Sequence, residues 1–212
     1  MKKSLLALAV AAGALVTVGP ASAAAVISFV PSATHIAIGG SVSVKMNVSG
    51  LGDQILSAFD INMLYDSGVL KNIGVAKDVE SQWGGAANTD LLVDLAAGNT
   101  GVTGGSFLDD AGLLGLPQAN AFTVLTFDFS GVGNGTTFIS LGASPDFARN
   151  FTGLDAASLE VDVGRVCVSV GTGSCDGGGG NVPEPASFGL AALALLAAGA
   201  SGRKRRRTST VT

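Results

Sequence analysis

The sequence is short of the residues from which active sites are usually assembled. Only 13% of its 212 residues are charged, there is one histidine, and the aromatic side chains are ten Phe with a single Trp and a single Tyr. A secreted glycan-active enzyme of this size would carry more aromatics for sugar stacking than Trp83 and Tyr65 supply. His35 has no second histidine and no cysteine pair at ligand spacing, so no metal and no other cofactor is expected, and it is assigned to a strand surface. No stretch of the middle of the chain sustains a helical period, which excludes a helical bundle. What the chain does have is glycine, 31 residues of it, the composition of a turn-rich β protein with one domain of moderate size.

Charge is unevenly placed. The formal net value is −4, but between Ala24 and Val182 only Lys45, Lys71, Lys77, Arg149 and Arg165 are basic, against fifteen acidic residues, so the body carries about −10. An acidic body argues against nucleic acid as a partner. The remaining basic residues sit at the two ends.

The N-terminal end reads as an export signal. Lys2 and Lys3 precede an apolar run from Leu5 to Val18, and Ala21-Ser22-Ala23 supplies the small residues of a cleavage site before Ala24. The run is shorter than the ~20 residues a spanning helix needs and is followed by Gly19-Pro20, which favours removal of residues 1–23 over their retention as an anchor. An oxidising compartment then bears on Cys167 and Cys175. The glycine-containing loop between them is able to bring them within bridging distance, so they form either a disulfide or a pair of free thiols.

From Ala24 onward the sequence is a series of short β-branched or alternating runs: "AVISFV", "HIAIGGSVSVKMNV", "LSAFDINMLY", "GVLKNIGVA", "LLVDLA", "FTVLTFDF", "TTFISLG" and "SLEVDVGRVCVSV". Between them lie turn signals at Gly39-Gly40, Gly50 to Asp53, Asp66-Ser67-Gly68, Gly98 to Gly105 and Asn134-Gly135. Asp109 to Pro117 reads as a short helical turn. The pattern predicts an all-β, two-layer sandwich over residues 24–172, followed by a Gly-rich linker over 173–181.

One strand separates into two faces. In "AFDINMLYD" the residues Phe59, Ile61, Met63 and Tyr65 fall on the core side, and Asp60, Asn62, Leu64 and Asp66 on the other. Asp60, Asn62 and Leu64 are therefore the candidate partner-binding face, with a merely solvated surface as the plainer alternative. Asp90, Asp94, Asp109, Asp110 and Asp128 are the acids from which a glycosidase pair would have to be drawn, and the sequence alone does not bring them together. Trp83, in a glycine-flanked loop, either caps the edge of the core or makes an exposed contact with sugar or protein. No calcium-loop spacing is present, and the sequons at Asn47, Asn134 and Asn150 are compatible with glycan attachment.

The order of these motifs resembles the bacterial cohesin domain and its relatives among carbohydrate-binding modules. Gly40, Val42 and Val44, then Tyr65, Asp66, Val69 and Leu70, then Leu125, Thr126 and Phe127, and finally Gly135, Thr136 and Thr137 stand where that family has its short motifs, over most of residues 27–170. The resemblance implies a cohesin-like jelly-roll sandwich of about nine strands that binds rather than catalyses. It further implies that the sheet face containing the strand before the Tyr-Asp turn docks a dockerin-like module. An Asn-x-Asp pair contributes to that docking in the family; here Asp60 holds the acid position and Ala58 stands where the asparagine would be.

The C-terminal end has an order of its own. Val182-Pro183-Glu184-Pro185 is extended by its two prolines, residues 186–202 are uncharged and long enough to cross a bilayer, and Arg203, Lys204, Arg205, Arg206 and Arg207 form a cytoplasmic topology signal. The arrangement resembles the PEP-CTERM sorting signal of Gram-negative bacteria. That resemblance implies processing by an exosortase, a membrane-embedded cysteine transpeptidase, with the chain held transiently through 186–202 and then delivered to the cell surface or exterior. Bacteria with this system typically make extracellular polysaccharide and biofilm. The combined expectation is an exported adhesion or binding protein without catalytic residues; the alternatives are a carbohydrate-binding module holding matrix polysaccharide and a secreted glycan-active enzyme.

Overall fold

Alternation is the rule that builds this molecule. The run "SVSVKMNVS" forms a nine-residue strand in which Val42, Val44, Met46 and Val48 are buried and the serines, Lys45 and Asn47 face outward, because successive strand side chains point to opposite faces. The structure, a computed structural model, describes residues 24–143 and 150–175. Within them the strands are β1 (Ala25–Pro31), β2 (His35–Ile36), β3 (Ser41–Ser49), β4 (Ala58–Leu64), β5 (Leu70–Lys77), β6 (Thr89–Ala96), β7 (Asn99–Ser106), β8 (Ala121–Gly131), β9 (Gly135–Gly142), β10 (Asn150–Thr152), β11 (Val161–Val163) and β12 (Val166–Val170). Nine of these have five residues or more; β2, β10 and β11 are shorter.

The strands form two facing sheets. The smaller has the order β11-β1-β3-β8-β5, and the larger β2-β12-β9-β4-β7-β6 with β10 beside β4. Pairing is antiparallel except where β11 joins β1 and β2 joins β12. Phe59, Ile61 and Met63 of β4 meet Val44 and Met46 of β3 and Phe127 and Phe129 of β8 across a continuous apolar core. Tyr65 packs edge-to-face on Phe129 with ring centroids 5.1 Å apart.

The expected helical turn is present as α1 (Asp110–Leu114), started by Asp109, whose side chain accepts a hydrogen bond from the Gly112 N–H at 2.8 Å. Trp83 takes the first of its two alternatives. It is fully buried, stacks on Phe59 at 5.9 Å and donates from Nε1 to the Leu56 carbonyl at 2.7 Å.

One expectation about the strands needs correction. Gly98 to Gly105 is not a turn: only Ala97-Gly98 turns the chain, with Gly98 at φ +78°, and the rest is β7, an interior strand between β4 and β6. Its glycines are there for packing. A Cβ on Gly104 would stand 2.5 Å from Cζ of Phe59. Residues 173–175, counted with the linker, are tied to the sandwich. Cys167 and Cys175 form a disulfide with Cα atoms 5.9 Å apart, the Thr172 N–H donates to Asn134 Oδ1 at 3.0 Å, and Thr136 Oγ1 donates to the Ser174 carbonyl at 3.1 Å. The signal segment 1–23, the rest of the linker and the whole sorting tail, including Val182 to Pro185, the apolar run 186–202 and Arg203 to Arg207, lie outside the described residues. Among the described residues no helix is long and apolar enough to cross a membrane.

Candidate docking face

The two sheets differ in what they turn outward. On the smaller sheet several outward polar side chains pair with one another: Ser43 Oγ donates to Asp128 Oδ1 at 2.5 Å, Thr123 Oγ1 to Asn47 Oδ1 at 2.8 Å, and Thr126 Oγ1 to Asp78 Oδ2 at 2.6 Å, with Val30 of β1 and Ile73 of β5 exposed beside them. Polar groups already paired with one another have less to offer a partner.

The larger sheet is built differently. Strand register places Leu64, Asn62 and Asp60 of β4 on its outer face, as the alternation predicts, opposite Asn99, Gly101 and Thr103 of β7, and places Leu92 of β6 opposite Thr103. Phe138 lies on the same face of β9, two residues before Ser140, which pairs with Leu64. Phe107 continues it beyond β7, because its N–H extends the ladder to the Asn88 carbonyl at 2.9 Å. Leu64 (36% exposed), Phe138 (41%), Leu92 (66%) and Phe107 (69%) thus put four large apolar side chains in water on one face. Single exposed apolar residues are ordinary; this face carries four, spread over β4, β6, β9 and the end of β7.

The middle of that face is a glycine-flanked row. Asn62 stands between Gly142 of β9 and Gly101 of β7, its partners in register on either side. It was expected to be a water-facing polar residue, and here the expectation fails: Asn62 is 1% exposed, on an interior strand of the sheet. Among the described residues neither Nδ2 nor Oδ1 of its carboxamide has a hydrogen-bond partner. Asp60, half-buried, accepts from Thr103 Oγ1 at 3.0 Å. At one margin the Arg165 guanidinium lies 4.6 Å above the centre of the Phe138 ring.

The other candidates are scattered. Asp128 is on the outer face of the smaller sheet, Asp90 and Asp94 are on the outer face of the larger one, Asp109 caps α1, and Asp110 Oδ2 accepts from the Asp155 N–H at 2.9 Å. They share no cleft. His35, exposed on β2, has Nδ1 3.0 Å from Ser169 Oγ. Among the described residues no group of three or more His, Cys, Asp or Glu is placed to hold a metal ion.

Sequence reasoning found β4 but missed most of what surrounds it. Thr103, Gly101 and Phe107 were hidden by the reading of Gly98 to Gly105 as a loop. The signal for β7 was the alternation of Thr100 and Val102 directly after a two-residue turn, which sets up a hairpin with β6.

Comparison with known proteins agrees with this architecture. Residues 181–207 match the PEP-CTERM protein-sorting motif, which indicates export and sorting to the surface or exterior. The sandwich is similar to a type II cohesin domain from the cellulosome of Acetivibrio cellulolyticus, with a TM-score of 0.57 and 17% identity over 69% of this chain and 95% of that one. It is similar also to the sixth cohesin of scaffoldin B from the same organism, solved in complex with a Cel5 dockerin mutant (TM-score 0.52, 17% identity, 68% of this chain and 98% of that one). A third is a non-cellulosomal cohesin from the archaeon Archaeoglobus fulgidus (TM-score 0.51, 12% identity, 70% and 91%). At these identities the likeness establishes a cohesin-like fold. No curated protein matches the sequence.

Proposed function

We propose that this chain is a non-catalytic protein-binding module, exported and sorted by an exosortase, that docks a partner protein on the outer face of its larger sheet. The observation that carries the proposal is the contrast between the two outer faces. The smaller sheet pairs several of its polar groups among themselves and exposes Val30 and Ile73; the larger presents four large exposed side chains, Leu64, Leu92, Phe107 and Phe138, on the same face as a buried Asn62 whose carboxamide has no partner among the described residues. Interfaces usually have apolar side chains at the centre and polar groups at the rim, and this face offers both kinds; the Asn62 carboxamide, 1% exposed, becomes available to the backbone of a docking segment only once what lies over it is displaced. Asp60 and the hydroxyl of Thr103 extend the polar strip. A cohesin solved with a dockerin shares the fold, which supports a protein partner of that general kind.

The sorting tail supplies the compartment in this proposal. Val182-Pro183-Glu184-Pro185 is the segment an exosortase reads, residues 186–202 hold the chain in the inner membrane of a Gram-negative host until then, and Arg203 to Arg207 keep the end on the cytoplasmic side. The carbohydrate-module alternative is less well supported, because Trp83 is committed to the core and the Tyr65 hydroxyl to the Ala96 carbonyl at 3.1 Å. Association with an extracellular polysaccharide matrix would then come through the partner.

The test places a photo-crosslinking amino acid at Leu92 or Phe138, with Thr126 of the smaller sheet as control, in the chain produced by its own host. Discrete protein adducts from the first two positions and none from the third support the docking face. Adducts distributed equally over the three, or retention on matrix polysaccharide with no protein adduct, would overturn it.

A further inference from the structure

Each sheet has two edges, and three of the four are blunted. β2 is two residues long and β11 three, too short to template a partner strand. β5 is longer but carries a bulge between Asn72 and Gly74 and a lysine at either side of it, Lys71 and Lys77. β6 has none of these devices. It runs eight residues in unbroken register with β7, without proline, lysine or bulge.

The direction of its free backbone groups follows from the ladder. The Phe107 N–H donates to the Asn88 carbonyl, so Asn88 and every second residue after it point their backbone groups toward β7. Thr89, Leu91, Val93 and Leu95 therefore point theirs away from the sheet. The Thr89 carbonyl confirms the phase, since Lys77 Nζ reaches it at 3.1 Å from β5. The Leu91 N–H turns back to its neighbour Asp90 Oδ1 at 2.9 Å. Among the described residues the carbonyls of Leu91, Val93 and Leu95 and the N–H groups of Val93 and Leu95 have no backbone partner outside β7.

We infer that β6 is a self-pairing edge, at which a second copy of this chain adds antiparallel about a two-fold axis through Val93. The register is selected by the strand's own pattern. Pairing about Val93 sets Leu91 opposite Leu95 of the second copy and Val93 opposite Val93, so their outward-pointing backbone groups exchange hydrogen bonds, the Leu91 N–H giving up Asp90 Oδ1 to do so, and their side chains form an apolar row. On the other face it sets Asp94 opposite Leu92 and Asp90 opposite Ala96. Moving the axis by one residue, to Leu92 or to Asp94, puts Asp90 against Asp94 or Asp94 against itself, and like charges directly opposite destabilise a strand pair. A two-fold edge pair of this kind is closed, uses one patch twice and ends at the dimer. It leaves the outer face of the larger sheet open and makes two docking faces continuous across the axis, so a bivalent partner would gain from their proximity.

The experiment has two arms. Sedimentation of residues 24–175, which contain both sheets and the complete described core, is expected to give twice the monomer mass. Val93→Pro is expected to return it to the monomer with circular dichroism unchanged, because the N–H it removes lies outside the ladder and proline is tolerated on an open edge; Val93→Lys serves if the proline variant does not fold. In the full chain within its host, Leu92→Cys combined with Asp94→Cys is expected to yield an inter-chain disulfide, while Leu92→Cys with Asp90→Cys, which requires a different axis, yields none. A monomeric parent body, a dimer that survives both substitutions at Val93, or equal cross-linking of the two cysteine pairs would overturn the inference.

Discussion

The ring of Phe59 occupies the space that a side chain on Gly104 would need, with Cζ 2.5 Å from where a Cβ would stand. Phe59 is in turn stacked on Trp83, so the glycine of one strand, the phenylalanine of the next and the only tryptophan form one packed unit at the Trp83 end of the core. Gly104→Ala is expected to destabilise the fold by about 1–3 kcal/mol, the usual cost of overpacking. Urea unfolding measures it. Combining Gly104→Ala with Phe59→Leu is expected to cost less than the sum of the two single changes, since the smaller side chain makes the room; strict additivity would mean that the two residues do not share the space.

Trp83 is a convenient reporter of the same unit. Its emission is expected to be blue-shifted and weakly quenched by acrylamide in the native state, and to move to the red on unfolding. Trp83→Phe is expected to cost about 1–3 kcal/mol through the cavity and the lost hydrogen bond. The Leu56 carbonyl would not be stranded, because Gln118 Nε2 also donates to it at 3.0 Å. An emission typical of exposed indole would contradict the buried position.

How far the molecule was legible in advance depended on which signal each element carried. β3, β4, β8 and β9 announce themselves by alternating apolar residues, and the faces of β4 follow from counting by two. β7 does not, because at Gly101, Gly104 and Gly105 the determinant is what a neighbouring strand needs to place there, and that is a property of the assembled sheet. Asn62 was assigned to the right face but to the wrong environment, since alternation gives the direction of a side chain and not what comes to lie over it. The row of exposed apolar residues was invisible for the same reason. Leu64, Leu92, Phe107 and Phe138 are far apart in sequence and come onto one sheet face only through strand order. The sorting tail was the opposite case, a signal written in contiguous residues.

The disulfide closes a small loop after β12. With a sequence separation of 8, the chain-entropy contribution is about 2–3 kcal/mol. Replacing Cys167 with Ala and Cys175 with Ser together is expected to lower stability by about that amount, and, because Cys167 stands opposite Phe138 in the β12/β9 register, to disturb the docking face at that margin only. Thermal melts with and without reductant give the same comparison in the unmodified chain. A reductant-insensitive melting temperature would indicate that the bridge does not form in solution.

Processing should depend on the four-residue motif and not on the sandwich. Replacing Pro183, Glu184 and Pro185 with alanine, in a host that carries an exosortase, is expected to leave a membrane-retained chain longer than the mature form. Gly104→Ala, if it still folds, is expected to be processed normally. Intact-mass measurement of the surface-released product distinguishes the cases and reports the disulfide at the same time. Unchanged processing of the alanine variant would remove the basis for assigning the tail to an exosortase.

Asn62 ties the stability of the fold to its proposed use. A buried carboxamide without partners carries an unrecovered desolvation cost of about 1–3 kcal/mol, so Asn62→Leu, which keeps the branching and removes both polar atoms, is expected to stabilise the sandwich by up to that amount. A position kept only for packing would show nothing else. If the carboxamide is held ready for a docking segment, the same substitution also weakens capture of the partner, and Asn62→Gln, which keeps the chemistry but displaces it, fails to restore it. Chemical denaturation and a binding isotherm on the same preparations decide between the two. A more stable variant with undiminished binding would remove Asn62 from the docking face, while Leu92 and Phe138 would remain as its apolar anchors.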